Sequence, residues 1–256
     1  MGKSIDLNAD LGESFGAWRM GDDAGVMPWI TSANVACGFH AGDPMTMRRT
    51  LALCIEHGVA IGAHPSLPDL QGFGRHEMKI TPDEVYAQTL YQIGALHALA
   101  RAAGANLHHV KAHGALYNMA ARERGLADAI AQAVRDFNPA LILVGLAGSR
   151  SIDTARDAGL AVQREGFCDR RYQSDGSLTP RSQAGAVIED IDDAVAQAVS
   201  IATRGEAVTR DGATVRIEAD TLCVHGDRAN AAVFAERLRR ALENAGVRIA
   251  AAGRPA

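Results

Sequence analysis

The feature that most constrains this chain is a regular alternation. Short runs rich in Val, Ile, Leu and Ala are each followed by a longer stretch with apolar residues at helical spacing. Candidate strands lie at 5–10, 33–38, 59–64, 108–113, 141–146, 161–167 and 222–225, with a short eighth at 247–250. Parallel neighbours need a crossover of a dozen or more residues, and a helix supplies it. The repeated β-then-α order therefore predicts a parallel sheet covered by helices. Seven strands suit a closed or nearly closed (β/α) barrel, with an open doubly wound sheet as the alternative.

The helices carry clear punctuation. Asp43 reads as an N-cap, Pro44 as a first helical residue and Gly58 as a terminator. Thr81 and Glu84 form a capping box around Pro82, with Gly104 closing that helix and Tyr86, Leu90, Ile93 and His97 on one face. The next helix carries Leu126, Ile130, Val134 and Phe137. It stops at Asn138-Pro139, because the residue before proline resists the helical region. The last carries Phe234, Leu238, Leu242 and Ala245 between Asp227 as cap and Gly246 as end. One stretch breaks the pattern: VTRDGATVRI alternates around Asp211-Gly212, a hairpin signal. It reads as an insertion near 206–219 in the last crossover. With no repeat or linker, the 256 residues are expected to form a single domain.

Several function classes find no support. The net charge of −4 gives no reason to expect a nucleic-acid or membrane surface. No segment reaches the length of a membrane span, and the start, MGKSIDLNAD, lacks the apolar run of a signal peptide. Cys37, Cys54, Cys168 and Cys223 form no Cys-x-x-Cys pair, so they read as reduced, buried thiols of a cytoplasmic protein. There is no P-loop, no Gly-x-Gly-x-x-Gly after a strand and no Gly-x-Ser-x-Gly elbow.

In barrels and open α/β sheets, chemistry collects at the carboxyl ends of the strands. Six of the seven strand ends here are polar. They offer Asn8, Asp10 and Glu13; His40 and Asp43; His64; Lys111, His113, Tyr117 and Asn118; Glu165, Asp169 and Arg170; and His225 with Asp227. Four of the nine histidines stand at such ends, which makes the constellation more informative than any one member. A His, Asp and Glu cluster can do acid–base work, hold a divalent cation, or both. Bland readings compete for some members. Asp43 and Asp227 read first as helix caps, His97 as a packed core residue, and His57 and His108 as bystanders. His76 is either a lid residue or plain surface. Lys111 is sharper, since a lysine pointing into a barrel is costly unless paired. Arg181, after the turn DGSLTP, reads equally as a carboxylate binder or a cap.

The stretches DLNADLGES, SANVACGFHAGDP, VAIGAHPSLPD, GFGR, HVKAHGALYN, EGFCDRRYQSDGSLTPRSQAGA and CVHGD together resemble the LamB/YcsF family, over nearly the whole chain. One departure is Ala112, where the family pattern has proline. The resemblance implies a single seven-stranded, TIM-like (β/α) barrel of the glycoside hydrolase/deacetylase type. It also implies ATP-dependent opening of 5-oxoproline to glutamate, in company with 5-oxoprolinase subunits B and C, which handle at least part of the ATP. A coupled route would phosphorylate the lactam oxygen, after which water attacks the ring carbon and phosphate leaves. Such a site needs a base, an acid for the ring nitrogen, and cations for phosphate and carboxylate. Asp10 or Glu13 is expected as base. His40, His64, His113 and His225 are expected as acid–base or oxyanion partners. Lys111 balances charge in the catalytic set, and Asn8, Asn118, Arg170 and Arg181 bind substrate. Deacetylases of the related fold hold a divalent metal between an Asp and two His. The corresponding set here is Asp10, His64 and His113, with His40 as a substitute. Two other readings stay open: a metal-dependent amidohydrolase or deacetylase working alone without ATP, and a non-catalytic subunit that only presents substrate.

Overall fold

The computed structural model describes residues 3–226 and 230–253. Its strands are β1 (Ser4–Leu11), β2 (Ser32–Ala36), β3 (Ala60–His64), β4 (His109–Lys111), β5 (Ile142–Leu146), β6 (Ala161–Phe167), β7 (Glu206–Val208), β8 (Thr214–Arg216), β9 (Thr221–His225) and β10 (Arg248–Ile249). The helices are α1 (Asp23–Val26), α2 (Pro44–His57), α3 (Pro82–Ala102), α4 (Gly114–Arg122), α5 (Arg124–Phe137), α6 (Arg150–Asp157), α7 (Ile191–Arg204) and α8 (Ala231–Asn244).

Seven parallel strands close into a barrel in the order β1-β2-β3-β4-β5-β6-β9, with β9 pairing back onto β1. The expected eighth strand is not a stave. β10 pairs only with Ser4 and Ile5, below the stretch of β1 that β9 occupies from Asp6 to Asp10. β7 and β8 form an antiparallel pair of their own between α7 and β9.

The barrel's lining is polar. Outward residues of β1, such as Leu7, Ala9 and Leu11, pack into the shared apolar core beneath the helices. Their alternates Asp6, Asn8 and Asp10 point inward, as the two-residue period of a strand requires. Asp6 accepts hydrogen bonds from Thr31, Ser32 and Thr221 near the floor. Above it, Asn34 donates to Asn8 (2.7 Å) and Asp10 (2.8 Å), and His109 Nε2 lies 2.8 Å from Asn34. Gly62 is obligatory here, because any Cβ would enter the His109 ring. These groups are buried but mutually bonded, which meets the condition for burying polar atoms at tolerable cost.

The helix boundaries follow the punctuation with small differences. Asp43 caps α2 through Met45 and Thr46, and Gly58 ends it in a left-handed conformation. The Thr81 capping box is present, but Ala103, one residue before Gly104, closes α3. The buried face of α3 is Val85, Thr89, Gln92, Ile93, Leu96 and Ala100, with Tyr86, Leu90 and His97 at its half-buried margin. The face is thus rotated from the expected stripe. His97 packs edge-on against Phe137 of α5, since α3 touches both the barrel and α5. Asp227, the expected cap of α8, lies outside the described residues, and Asn230 precedes the helix.

Candidate active site

A cavity of about 670 Å³ opens at the carboxyl ends of the strands, lined among others by Asp10, Glu13, His64, Arg75, Lys111 and His113. Tyr117, Asn118, Arg170, Arg181 and His225 complete its walls. Three groupings of side chains meet there.

At the floor stands Lys111, 2.9 Å from Asp10 Oδ1, 2.7 Å from Glu165 Oε1 and 3.1 Å from Asn8 Oδ1. Burial alone would pull its ammonium down, but the charges around it, Asp10 first, hold it well above the ordinary lysine range. Burial would likewise raise the Asp10 carboxyl. His64 and Lys111 outweigh that and keep it well below the ordinary carboxylate range. A carboxylate held this low is a poor proton acceptor, so Asp10 is placed as the anchor of Lys111 rather than as a base. Asn8 belongs to the same buried network, giving its amide to Thr221, and lies under Lys111 rather than on the cavity wall.

On one wall, His225 Nδ1 lies 2.9 Å from Asp169 Oδ1, and Arg181 donates to His225 Nε2 at 3.2 Å. A guanidinium can only donate, so Nε2 carries the lone pair and Nδ1 the hydrogen. The result is an Asp–His dyad with its basic nitrogen turned to an arginine, as in sites where a carboxylate fixes a histidine tautomer. Phe167 packs on the His225 ring. Arg170 donates to the carbonyls of Thr179 and Ala186, bracing the loop that carries Arg181. Burial, then repulsion from Arg181, bring its guanidinium down to about 10. Asn118 stands at the rim with its amide on the Gly114 carbonyl.

On the other wall, four side chains converge. His64 Nδ1 lies 2.7 Å from the Lys111 carbonyl, and His113 Nε2 lies 2.9 Å from the Phe73 carbonyl. Carbonyls only accept, so each of these nitrogens carries a hydrogen. The remaining nitrogens, His64 Nε2 and His113 Nδ1, face each other at 3.0 Å. Glu13 Oε1 is 3.5 Å from His113 Nδ1 and 3.3 Å from His40 Nε2. His40 stacks on His113 with ring centroids 3.9 Å apart. Gly38 and Gly42, both at positive φ, turn the chain so that His40 is directed inward. It is buried behind His113 rather than facing the mouth. Burial keeps both His40 and His113 well below the ordinary histidine range, that is, neutral.

Within the expected set, Asp10 Oδ2 lies 3.4 Å from His64 Nε2, which in turn lies 3.0 Å from His113 Nδ1. Donor atoms of Glu13, His40, His64 and His113 all lie within 4.8 Å of one another, whereas Asp10 groups with Cys223 and His225. Sequence reasoning also passed over Phe73, Gly74 and Arg75 of the GFGR stretch. Phe73 has φ 56, the left-handed region, and its carbonyl thereby meets His113. The signal was present in Gly-Phe-Gly, but nothing local says which distant ring such a turn serves. Glu165 and Asp169 were visible at the end of β6, yet only the barrel's closure brings them to Lys111 and His225.

Comparison with known proteins places these residues in company. The LamB/YcsF family model matches residues 5–255. A relative from Bordetella pertussis, named as the A subunit of 5-oxoprolinase, is 59% identical over 98% of this chain and 100% of its own length. The crystal structure of a lactam utilization protein from Thermus thermophilus is 50% identical, covers 97% of this chain and 99% of its own, and superposes with a TM-score of 0.91. A family 4 carbohydrate esterase from Streptomyces lividans, 14% identical over 96% of this chain and 91% of its own, has a TM-score of 0.50 and shares the fold alone.

Proposed function

The chain belongs to the LamB/YcsF family, and from that kinship we propose that it works as the A-type subunit of a 5-oxoprolinase. In this reading it opens the cyclic amide of 5-oxo-L-proline to L-glutamate, at the expense of ATP and together with B-type and C-type partner subunits. The observation that carries the reading is one cavity holding an acid–base dyad, Asp169–His225, beside the cations Arg75, Arg181 and Lys111. A relative named for 5-oxoprolinase, 59% identical over 98% of this chain, supports the choice of substrate.

The chemistry assigns a task to each group. An unstrained five-membered lactam is a poor electrophile. Transfer of a phosphoryl group from ATP to its oxygen forms an O–P bond, releases ADP and activates the ring carbon. Water adds to that carbon and gives a proton to His225 Nε2. The C–N bond then breaks as the ring nitrogen takes a proton, leaving an acyl phosphate that a second water hydrolyses to glutamate and phosphate. Arg75 and Arg181 receive the substrate carboxylate, which draws Arg181 off His225 and frees Nε2. Lys111, fixed by Asp10 and Glu165, presents positive charge to the oxygens as negative charge develops there. The sequence holds no P-loop, so the nucleotide is assigned at least partly to the partners. All four cysteines are buried free thiols, which supports a reducing, cytoplasmic setting. No helix among the described residues is long and apolar enough to cross a membrane.

The test mixes this chain with candidate B and C subunits and follows 5-oxoproline-dependent release of ADP and glutamate. Turnover that requires all three chains is expected, and full turnover without this chain would refute the proposal. The convergence of Glu13 with three histidines favours one alternative, an amidohydrolase acting alone. That alternative predicts ATP-independent hydrolysis of an N-acyl substrate by the isolated chain.

A further inference from the structure

We infer that Glu13, His40, His64 and His113 form a binding site for one divalent transition metal of the zinc class. Two ring nitrogens of this cluster face each other. His64 Nε2 and His113 Nδ1 are 3.0 Å apart, and the other nitrogen of each ring donates to a backbone carbonyl. With both rings neutral, two lone pairs at that distance repel unless a proton or a metal cation lies between them. Zinc–nitrogen bonds of about 2.0–2.1 Å reach across such a gap. Glu13 Oε1 supplies a negative ligand beside the pair, and His40 Nε2 supplies a third imidazole. Three nitrogens and one carboxylate suit zinc, iron, cobalt or nickel better than magnesium or calcium, which prefer all-oxygen shells.

The surroundings are built as an outer shell. A ligating histidine usually donates its far N–H to a carbonyl or carboxylate, which fixes the ring. The Lys111 and Phe73 carbonyls do this for His64 and His113. The left-handed Phe73 aims one of those carbonyls, and strain of this kind concentrates where function over-determines the backbone. Gly74 lets the turn close on the cluster, since a Cβ there would fall 2.8 Å from His40 Cβ and 2.9 Å from His113 Cδ2. Glu13, His64 and His113 line the cavity, so a bound ion would be open to a ligand from that side. Asp10 meets the set at its edge, with Oδ2 3.4 Å from His64 Nε2. Its Oδ1 is engaged by Lys111 and Asn34, and its donor atoms group with those of Cys223 and His225 rather than with all four of the set. The donor set thus differs from the Asp-His-His set that fold likeness suggests.

The test reads the metal itself, so it does not depend on the substrate assigned above. The full-length chain is stripped with a chelator and titrated with Zn²⁺, and with Co²⁺ followed by its visible absorption. One ion per chain is expected, with a Co²⁺ band of nitrogen-ligated type. Glu13→Gln and His113→Asn should each weaken binding beyond the ~10–100-fold typical of outer-shell changes. Asp10→Asn should still bind one ion, and circular dichroism checks that each variant is folded. Absence of stoichiometric binding in the wild-type chain would overturn the inference and leave a shared proton between the rings. Loss of the ion in Asp10→Asn with retention in Glu13→Gln would overturn the donor set.

Discussion

Lys111 carries a charge into the barrel and keeps it, because Asp10 and Glu165 lie 2.9 and 2.7 Å from its ammonium. Removing one partner from a buried ion network leaves uncompensated charge, at a cost of about 3–5 kcal/mol. Lys111→Met is therefore expected to lower stability by about that much in urea unfolding, although methionine fills a similar volume. A change under about 1 kcal/mol would mean that the network is wetter than its burial indicates. At this scale much of the site was legible. Asp10, His64, Lys111, His113 and His225 announced themselves as polar residues at the ends of strands, where an unpaired group would be costly. Their division of labour was not legible. Asp10 looks like a base in the sequence, and only its contacts with Lys111 and His64 show why it is a weak one. Asn8 looks like a ligand-binding residue, yet deeper along the same strand face it joins the floor network.

Elements set what the residues can reach. The turn at Phe73 and Gly74 lies between β3 and α3, and it delivers a carbonyl to His113 while pressing on His40. Gly74→Ala combines a φ of +66 with collisions against both histidine side chains. We expect a loss of about 1–3 kcal/mol from the backbone strain alone, together with weakened metal retention as the histidines shift. A well-folded variant with unchanged thermal unfolding would contradict this account of the turn. At the start of α2, Asp43 accepts from Met45, Thr46 and the Gly16 N–H, so one carboxylate caps the helix and ties down the loop after β1. These bonds, led by the Thr46 hydroxyl, lower its pKa from 3.8 to about 2. A depressed carboxyl stabilises the fold above its unfolded pKa and loses that contribution as pH falls through the folded one. Asp43→Ala should cost about 0.5–2 kcal/mol near neutrality, and the gap from wild type should narrow between pH 3.8 and 2. Denaturant unfolding near neutrality and again within that acid window measures it, and a gap that widens in acid would reverse the sign. The cap and Pro44 were readable from the sequence because both act within one turn. The Phe73 turn was not, because its partner is 40 residues away.

The whole molecule is a seven-stranded barrel closed by β9 on β1. That closure was legible as strand count and alternation, since local periodicity and crossover length leave few topologies. The misreadings lie where pairing is short or tertiary. β10 pairs beside the start of β1 instead of forming a stave, and the buried face of α3 turns toward both the barrel and α5. What the barrel adds is convergence. Asp169 and His225 are 56 residues apart in sequence and 2.9 Å apart at the cavity, where Arg181 also arrives. The central claim is that ring opening takes place in this cavity, with His225 moving the proton. The direct measurement is 5-oxoproline-dependent glutamate release by the complete complex carrying His225→Gln, with assembly confirmed by mass. A fall in kcat of about 10²–10⁴-fold with the complex intact is predicted. An assembled complex that turns over at the wild-type rate would contradict the claim and move the chemistry to a partner.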